Sequence, residues 1–162
     1  MFLGLPLPLQ ALVLAFLFPP SKYVVVKAEF VPRNFTVDDS DPSIRWSSGW
    51  NVSDGNNTLD YGGAHHFSNQ NDAFAEFTFT GVAAYFLSPL WPYSVQARIM
   101  VDGQNPMSID LRDYSQPFSQ DGGPETVTSA VRWSSGDLSN DTHTLNISFN
   151  NDGGSYVAVD AL

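Results

Sequence analysis

The chain has 162 residues, 43% hydrophobic and 15% charged, with 17 acidic side chains against 7 Lys and Arg for a net charge of −10. Its length suits one domain with a sizeable core, and an acidic field of this size repels phosphate backbones, so nucleic acid is not expected as a partner. It has no cysteine, which excludes disulfides, a thiol nucleophile and thiolate metal sites.

Met1 to Phe18 is almost wholly apolar and carries no charge. Pro6, Pro8, Pro19 and Pro20 leave only Leu9 to Phe18 as an uninterrupted helical run, far short of the ~20 residues a membrane span needs. The expectation is a secretory signal over residues 1–28, with Val26-Lys27-Ala28 presenting small side chains to the peptidase and cleavage after Ala28. Lys22 and Lys27 lie before that cut, so the mature chain, 29–162, sets five basic residues against 17 acidic ones, a charge of −12. That acidity suits the solubility of an extracellular protein. Sequons at Asn34, Asn51, Asn56, Asn140 and Asn146 add the expectation of a secreted glycoprotein.

From Phe35 the mature chain shows two short strand patterns split by Asp41-Pro42, then a polar, Gly- and Asn-rich passage from Asn51 to Gly63 that reads as a loop fit for function. The central stretch, Ala73 to Gly103, holds three strand patterns. Phe77 and Phe79 share a face with Ala73 and Ala75, Gly81 permits a tight reversal, and Val82 to Leu87 reads as the return strand. In the third pattern Tyr93, Val95, Ala97, Ile99 and Val101 fall on one face, and Ser94, Gln96, Arg98, Met100 and Asp102 on the other. Asp102-Gly103 turns the chain into another half-buried strand over Pro106 to Arg112.

A second polar loop, Tyr114 to Glu125, precedes alternating runs at Val127 to Trp133, Leu145 to Phe149 and Val157 to Leu162. About nine or ten short strands with turn signals between them predict an all-β domain, a β-sandwich or jelly roll. The pentapeptide Arg-Trp-Ser-Ser-Gly occurs at 45–49 and 132–136 with unrelated flanks. It reads as two strands that end alike, with a packed Trp followed by a turn.

The order Thr36-Val37-Asp38-Asp39-Ser40-Asp41-Pro42-Ser43-Ile44, Trp46-Ser47-Ser48-Gly49-Trp50, Phe77-Thr78-Phe79-Thr80-Gly81, Tyr93-Ser94-Val95, Val101-Asp102-Gly103 and His143-Thr144-Leu145 resembles a family of fungal, mainly basidiomycete, secreted and surface proteins. The resemblance spans Asn34 to Leu162 and implies a galactose-binding-like jelly-roll ectodomain without catalytic residues. In many relatives a Ser/Thr-rich stalk and a membrane helix follow, which implies a cell-surface location where such an anchor exists.

Asp38, Asp39 and Asp41 end the first strand pattern and Asp160 lies in the last, a pattern often adjacent to the first in jelly rolls. Asp38, Asp39 and Asp160 are therefore candidate ligands of a structural Ca²⁺, which takes oxygen donors, against the alternative of a simple Asp-Pro turn. The adjacent His65 and His66 point to opposite faces of a strand and cannot jointly hold one metal, so zinc is not expected. One packed and one solvated histidine are. There is no Gly-x-Ser-x-Gly elbow, and pairs such as Asp110 with Asp113 are expected by chance among so many acids, so no enzyme activity is expected.

Aromatic residues in loops carry the functional reading. Trp91 stands between Pro89 and Pro92, while Trp50 and Tyr61 bracket the long polar loop. An exposed, rigid ring stacks on a sugar; the alternative for Trp91 is a ring folded back to cap the sandwich. The expectation is a non-enzymatic extracellular domain that binds carbohydrate, such as cell-wall glycan, through loops at one end. A structural or adhesive ectodomain contacting a protein partner is the alternative.

Overall fold

The computed structural model describes residues 31–149 and 153–162, which apart from Val31 belong to the compact unit Pro32–Leu162; the expected signal segment lies outside the described residues. The described chain is all β: β1 (Ile44–Trp46), β2 (Asn51–Val52), β3 (His66–Ser68), β4 (Phe74–Gly81), β5 (Tyr85–Leu90), β6 (Gln96–Val101), β7 (Met107–Asp110), β8 (Val127–Ser134), β9 (Asp141–Phe149) and β10 (Val157–Val159). No described helix is long and apolar enough to cross a membrane.

Five strands form an antiparallel sheet in the order β1-β4-β9-β6-β7. The second layer is built from β2-β3-β10 and β5-β8, joined where Ala161 bridges Leu87 on one side and Asp38 on the other. The start and end of the domain are thus neighbours, as expected: Val37 and Leu162 exchange N–H···O bonds of 2.7 and 2.8 Å, and the Asp39 N–H donates to the Asp160 carbonyl. The result is a β-sandwich of jelly-roll type around one apolar cluster that includes Ala97, Ile99, Leu145, Ile147, Phe86 and Val159.

The alternation read in the sequence holds through β6 and the residue before it, where Val95, Ala97 and Ile99 are buried and Arg98 is exposed. Asp102 and Gly103 adopt φ of 50° and 69°, the left-handed pair a tight hairpin turn requires. Ten strands agree with the expected number. The reversal expected at Gly81 does not make a hairpin: β4 pairs with β1 and β9, whereas β5 pairs with β8 in the other layer. Alternation places a strand's apolar face but does not name its neighbour, so a crossover between layers and a hairpin look alike in sequence. Within β5 the ladder slips between Ser88 and Leu90, at Pro89, which has no N–H to donate.

The two Arg-Trp-Ser-Ser-Gly copies end β1 and β8 in different layers. Trp46 and Trp133 pack on the core, Gly49 and Gly136 take φ of 89° and 72°, and Ser47 and Ser135 hydroxyls accept the N–H of Phe74 and Ala84. Strand-end chemistry accounts for the repeat.

Candidate functional site

Strand alternation sends Val157 and Val159 to one face of β10 and Ala158 to the other, beside its register partner Phe67 in β3. On the Phe67 face the two polar loops of the sequence meet. Val52, Ser53 and Asp54 come from the first, and Asp121, Gly122, Gly123 and Glu125 from the second. Between them lies a cavity of about 460 Å³ whose walls are Trp91, Tyr93, Phe67, Tyr156 and His65. The second loop is tied down by the Ser119 N–H donating to the Pro92 carbonyl at 2.9 Å and the Thr126 N–H donating to the Leu90 carbonyl at 2.8 Å.

The aromatic rings form a continuous arc. Trp91 stands edge-on to His65 at 5.4 Å, His65 lies 6.0 Å from Phe67, and Phe67 meets Tyr156 edge-on at 5.9 Å. Burial, with the nearby Tyr156 and Glu125, pushes the Tyr93 hydroxyl up to about 12, so it stays a neutral donor and acceptor at any physiological pH. The arc offers ring surface and the loops offer oxygen acceptors, the mixture that small-molecule sites display.

His65 is held from behind. Its Nδ1 lies 3.1 Å from both Asp60 carboxylate oxygens and 3.3 Å from Glu125 Oε1, while Asn57 donates its amide to Glu125 Oε2 at 2.8 Å. Burial opposes the imidazolium, but the hydrogen bond and charge of Asp60, with Glu125 and Asp160, outweigh it and raise the His65 pKa. Asp60, His65 and Glu125 each offer a donor atom within 4.8 Å of the others, a group able to hold a metal ion.

The three aspartates expected to share a calcium ion do not form such a group. Their backbones are adjacent, but Asp38 accepts from Ser40, Asp39 pairs with His66 Nδ1 at 2.5 Å, and both Asp160 oxygens accept the Tyr61 N–H at 3.0 and 3.1 Å. Neighbouring strands bring main chains together; side-chain parity then sends Asp39 and Asp160 to different partners. Asp160 is fully buried, and burial, with Asp60 and Asp39 nearby, pushes its carboxyl up to about 7. Asp38 keeps one buried oxygen, Oδ1, without a partner.

The histidines differ from expectation in one respect. His65 is packed, as expected, but His66 is half-buried rather than solvated, stacked on Trp46 at 4.0 Å and 7°. The two take different aspartates, as opposite faces require.

Of the three expected sugar-stacking residues only Trp91 lines the cavity, and it is not an exposed platform. It is 3% exposed and belongs to the core cluster, so the capping alternative is the one the fold adopts; its main-chain N–H donates to the Leu111 carbonyl at 3.0 Å and its main-chain carbonyl accepts the Asp113 N–H at 2.6 Å. Trp50 is half-buried against Trp46 and donates Nε1–H to the Phe74 carbonyl at 3.2 Å. Tyr61 is 44% exposed but lies outside the cavity. The side chains missed from sequence are Tyr93, Phe67, Tyr156 and Glu125. The available signal was a tyrosine opening an otherwise aliphatic face at 93–101, beside a proline-bounded loop.

No family model matches the chain, and no curated protein matches it. Solved structures share its fold. The chain superposes on an exo-β-1,3-galactanase from Phanerochaete chrysosporium, solved with β-1,3-galactotriose, with a TM-score of 0.51 and 10% identity over 82% of the chain and 29% of that protein. It superposes on a GH26-CBM35 β-(1,4)-mannanase from Podospora anserina with a TM-score of 0.53 and 15% identity over 78% of the chain and 26% of that protein. The chain therefore spans less than a third of either, and the likeness is one of β-sandwich fold.

Proposed function

We propose that this chain is an extracellular, non-enzymatic domain that binds carbohydrate in the cavity of about 460 Å³ between its two polar loops. The observation that carries the reading is the aromatic lining of the cavity, because the half-buried rings of Phe67, Tyr93 and Tyr156, backed by the buried Trp91 and His65, suit the C–H faces of sugars, with loop carboxylates to accept sugar hydroxyls. The fold shared with proteins named as a galactanase and a mannanase supports it. Binding is preferred to catalysis because Glu125, the one lining carboxylate packed into the wall, is committed to His65 and Asn57, while Asp54 and Asp121 are exposed on opposite loops. The site thus moves from the loop aromatics Trp50 and Tyr61 to the sheet face that the loops enclose.

Tyr156 tests this reading, since it is half-buried at the cavity wall. On a glycan array followed by calorimetry, Tyr156→Ala is expected to weaken binding about tenfold, the scale of a lost ring contact, while leaving the melting temperature nearly unchanged. A protein that binds no fungal or plant glycan, or a variant that binds as well as the parent, overturns it.

A further inference from the structure

The charges around the cavity are one-sided. Its lining holds three carboxylates, Asp54, Asp121 and Glu125, and neither lysine nor arginine. The one basic side chain in it, His65, already faces Glu125 and, behind it, Asp60. Asp54 and Asp121 are exposed, come from opposite loops, and have no hydrogen-bond or ion-pair partner among the described residues. A cleft lined by one sign of charge over low-dielectric walls concentrates ligands of the other sign, and the faces of the half-buried Tyr93 and Tyr156 attract cations as well as C–H groups.

We infer that the cavity selects glycans that carry free amino groups, oligomers of deacetylated amino sugar, over neutral and acidic ones. This inference rests on the glycan-binding reading and specifies its ligand class. A uronate or sulfated sugar meets Asp54, Asp121 and Glu125 with like charge. A neutral sugar stacks on the rings but leaves both rim carboxylates without a counter-charge. A protonated 2-amino group on a stacked sugar supplies that charge while its ring keeps the aromatic contact. A second cavity of about 300 Å³ shares Tyr93, Asp121, Gly122 and Tyr156 with the first and continues it toward Phe118. Asp121 therefore stands between two spaces, positioned for amines on successive sugars of one chain.

The test compares four hexamers by calorimetry near pH 6: β-1,4-linked glucosamine, its N-acetylated counterpart, β-1,4-linked glucose and galacturonate. The glucosamine hexamer is expected to bind at least tenfold more tightly than the other three, with a preference that shrinks as salt is added. The double variant Asp54→Asn/Asp121→Asn is expected to lose that preference, binding the glucosamine and glucose hexamers alike. Asp72→Asn/Asp137→Asn, which alters net charge equally at exposed positions outside the cavity, is expected to keep it. Equal binding of glucosamine and glucose hexamers, or an equal loss in the Asp72/Asp137 control, overturns the amine preference and leaves the glycan-binding reading standing. Binding of none of the four, with a blank glycan array, overturns both.

Discussion

Trp91 shows how one side chain serves the core and the cavity together. It belongs to the apolar cluster and lines the cavity, and at 3% exposure its truncation leaves a hole rather than a trimmed surface. Trp91→Ala is expected to cost roughly 3–5 kcal/mol in chemical denaturation, and a loss below about 1 kcal/mol would return the residue to the role of an exposed platform. The sequence displayed the indole and the prolines around it but not its burial. Pro89 and Pro92 restrict local dihedrals, whereas what covers the ring is set by residues remote in the chain such as His65. The same distance hid Glu125, whose partners Asn57 and His65 lie 60 or more positions away. Legible, by contrast, were the two polar passages as loops, because their Gly, Asn, Asp and Pro content argues against strand without needing any long-range contact.

At the scale of elements, the last strand decides whether the two layers hold together. β10 and the residues after it touch β3, Val37 and Leu87 in turn, so they close the second layer and seat its side chains on the first. Most of the strands were legible because period-two alternation is local. Their partners were not, since β4 and β9 pair across 60 or more residues and the crossover after Gly81 leaves no local mark. A charge placed inside β10 should therefore do more than a charge of the same kind on β8. Val159 is 0% exposed and Val131 is 54% exposed. Val159→Asp is expected to abolish cooperative unfolding by burying an unpaired carboxylate, while Val131→Asp shifts stability by no more than about 0.5 kcal/mol. Folding of the Val159 variant with a near-parental melting curve would show that β10 is not the closing element.

For the molecule as a whole, the balance of acids is expected to give stability an acid-side optimum. Asp160 has a folded pKa of about 7 against an ordinary 3.8, so between those values the folded state holds a proton the unfolded chain has released, and stability falls as pH rises through that window. His65 adds to the slope. Its pKa is raised, so its stabilisation is complete below the ordinary value of 6.5 and is lost as pH climbs through the folded one. Asp113 works at the other end: the Ser115 side chain, then Thr126 and the Ser115 N–H, hold its carboxyl below the usual range, and that support is lost as pH falls through the depressed value. Melting temperature measured in chelator-treated buffer, where no divalent ion can neutralise Asp160, is expected to peak between about pH 4 and 6 and to decline toward pH 8. Asp160→Asn separates this group from the general repulsion of an acidic chain, because Asn keeps the shape and an oxygen for the Tyr61 N–H but has no proton to lose. The variant is expected to flatten the decline between pH 4 and 7, with a ceiling on the gain of about 4 kcal/mol at neutral pH. A parental curve that is flat or rising from pH 5 to 8, or a variant that declines as steeply as the parent, would show that Asp160 is ionised at little cost in the folded chain.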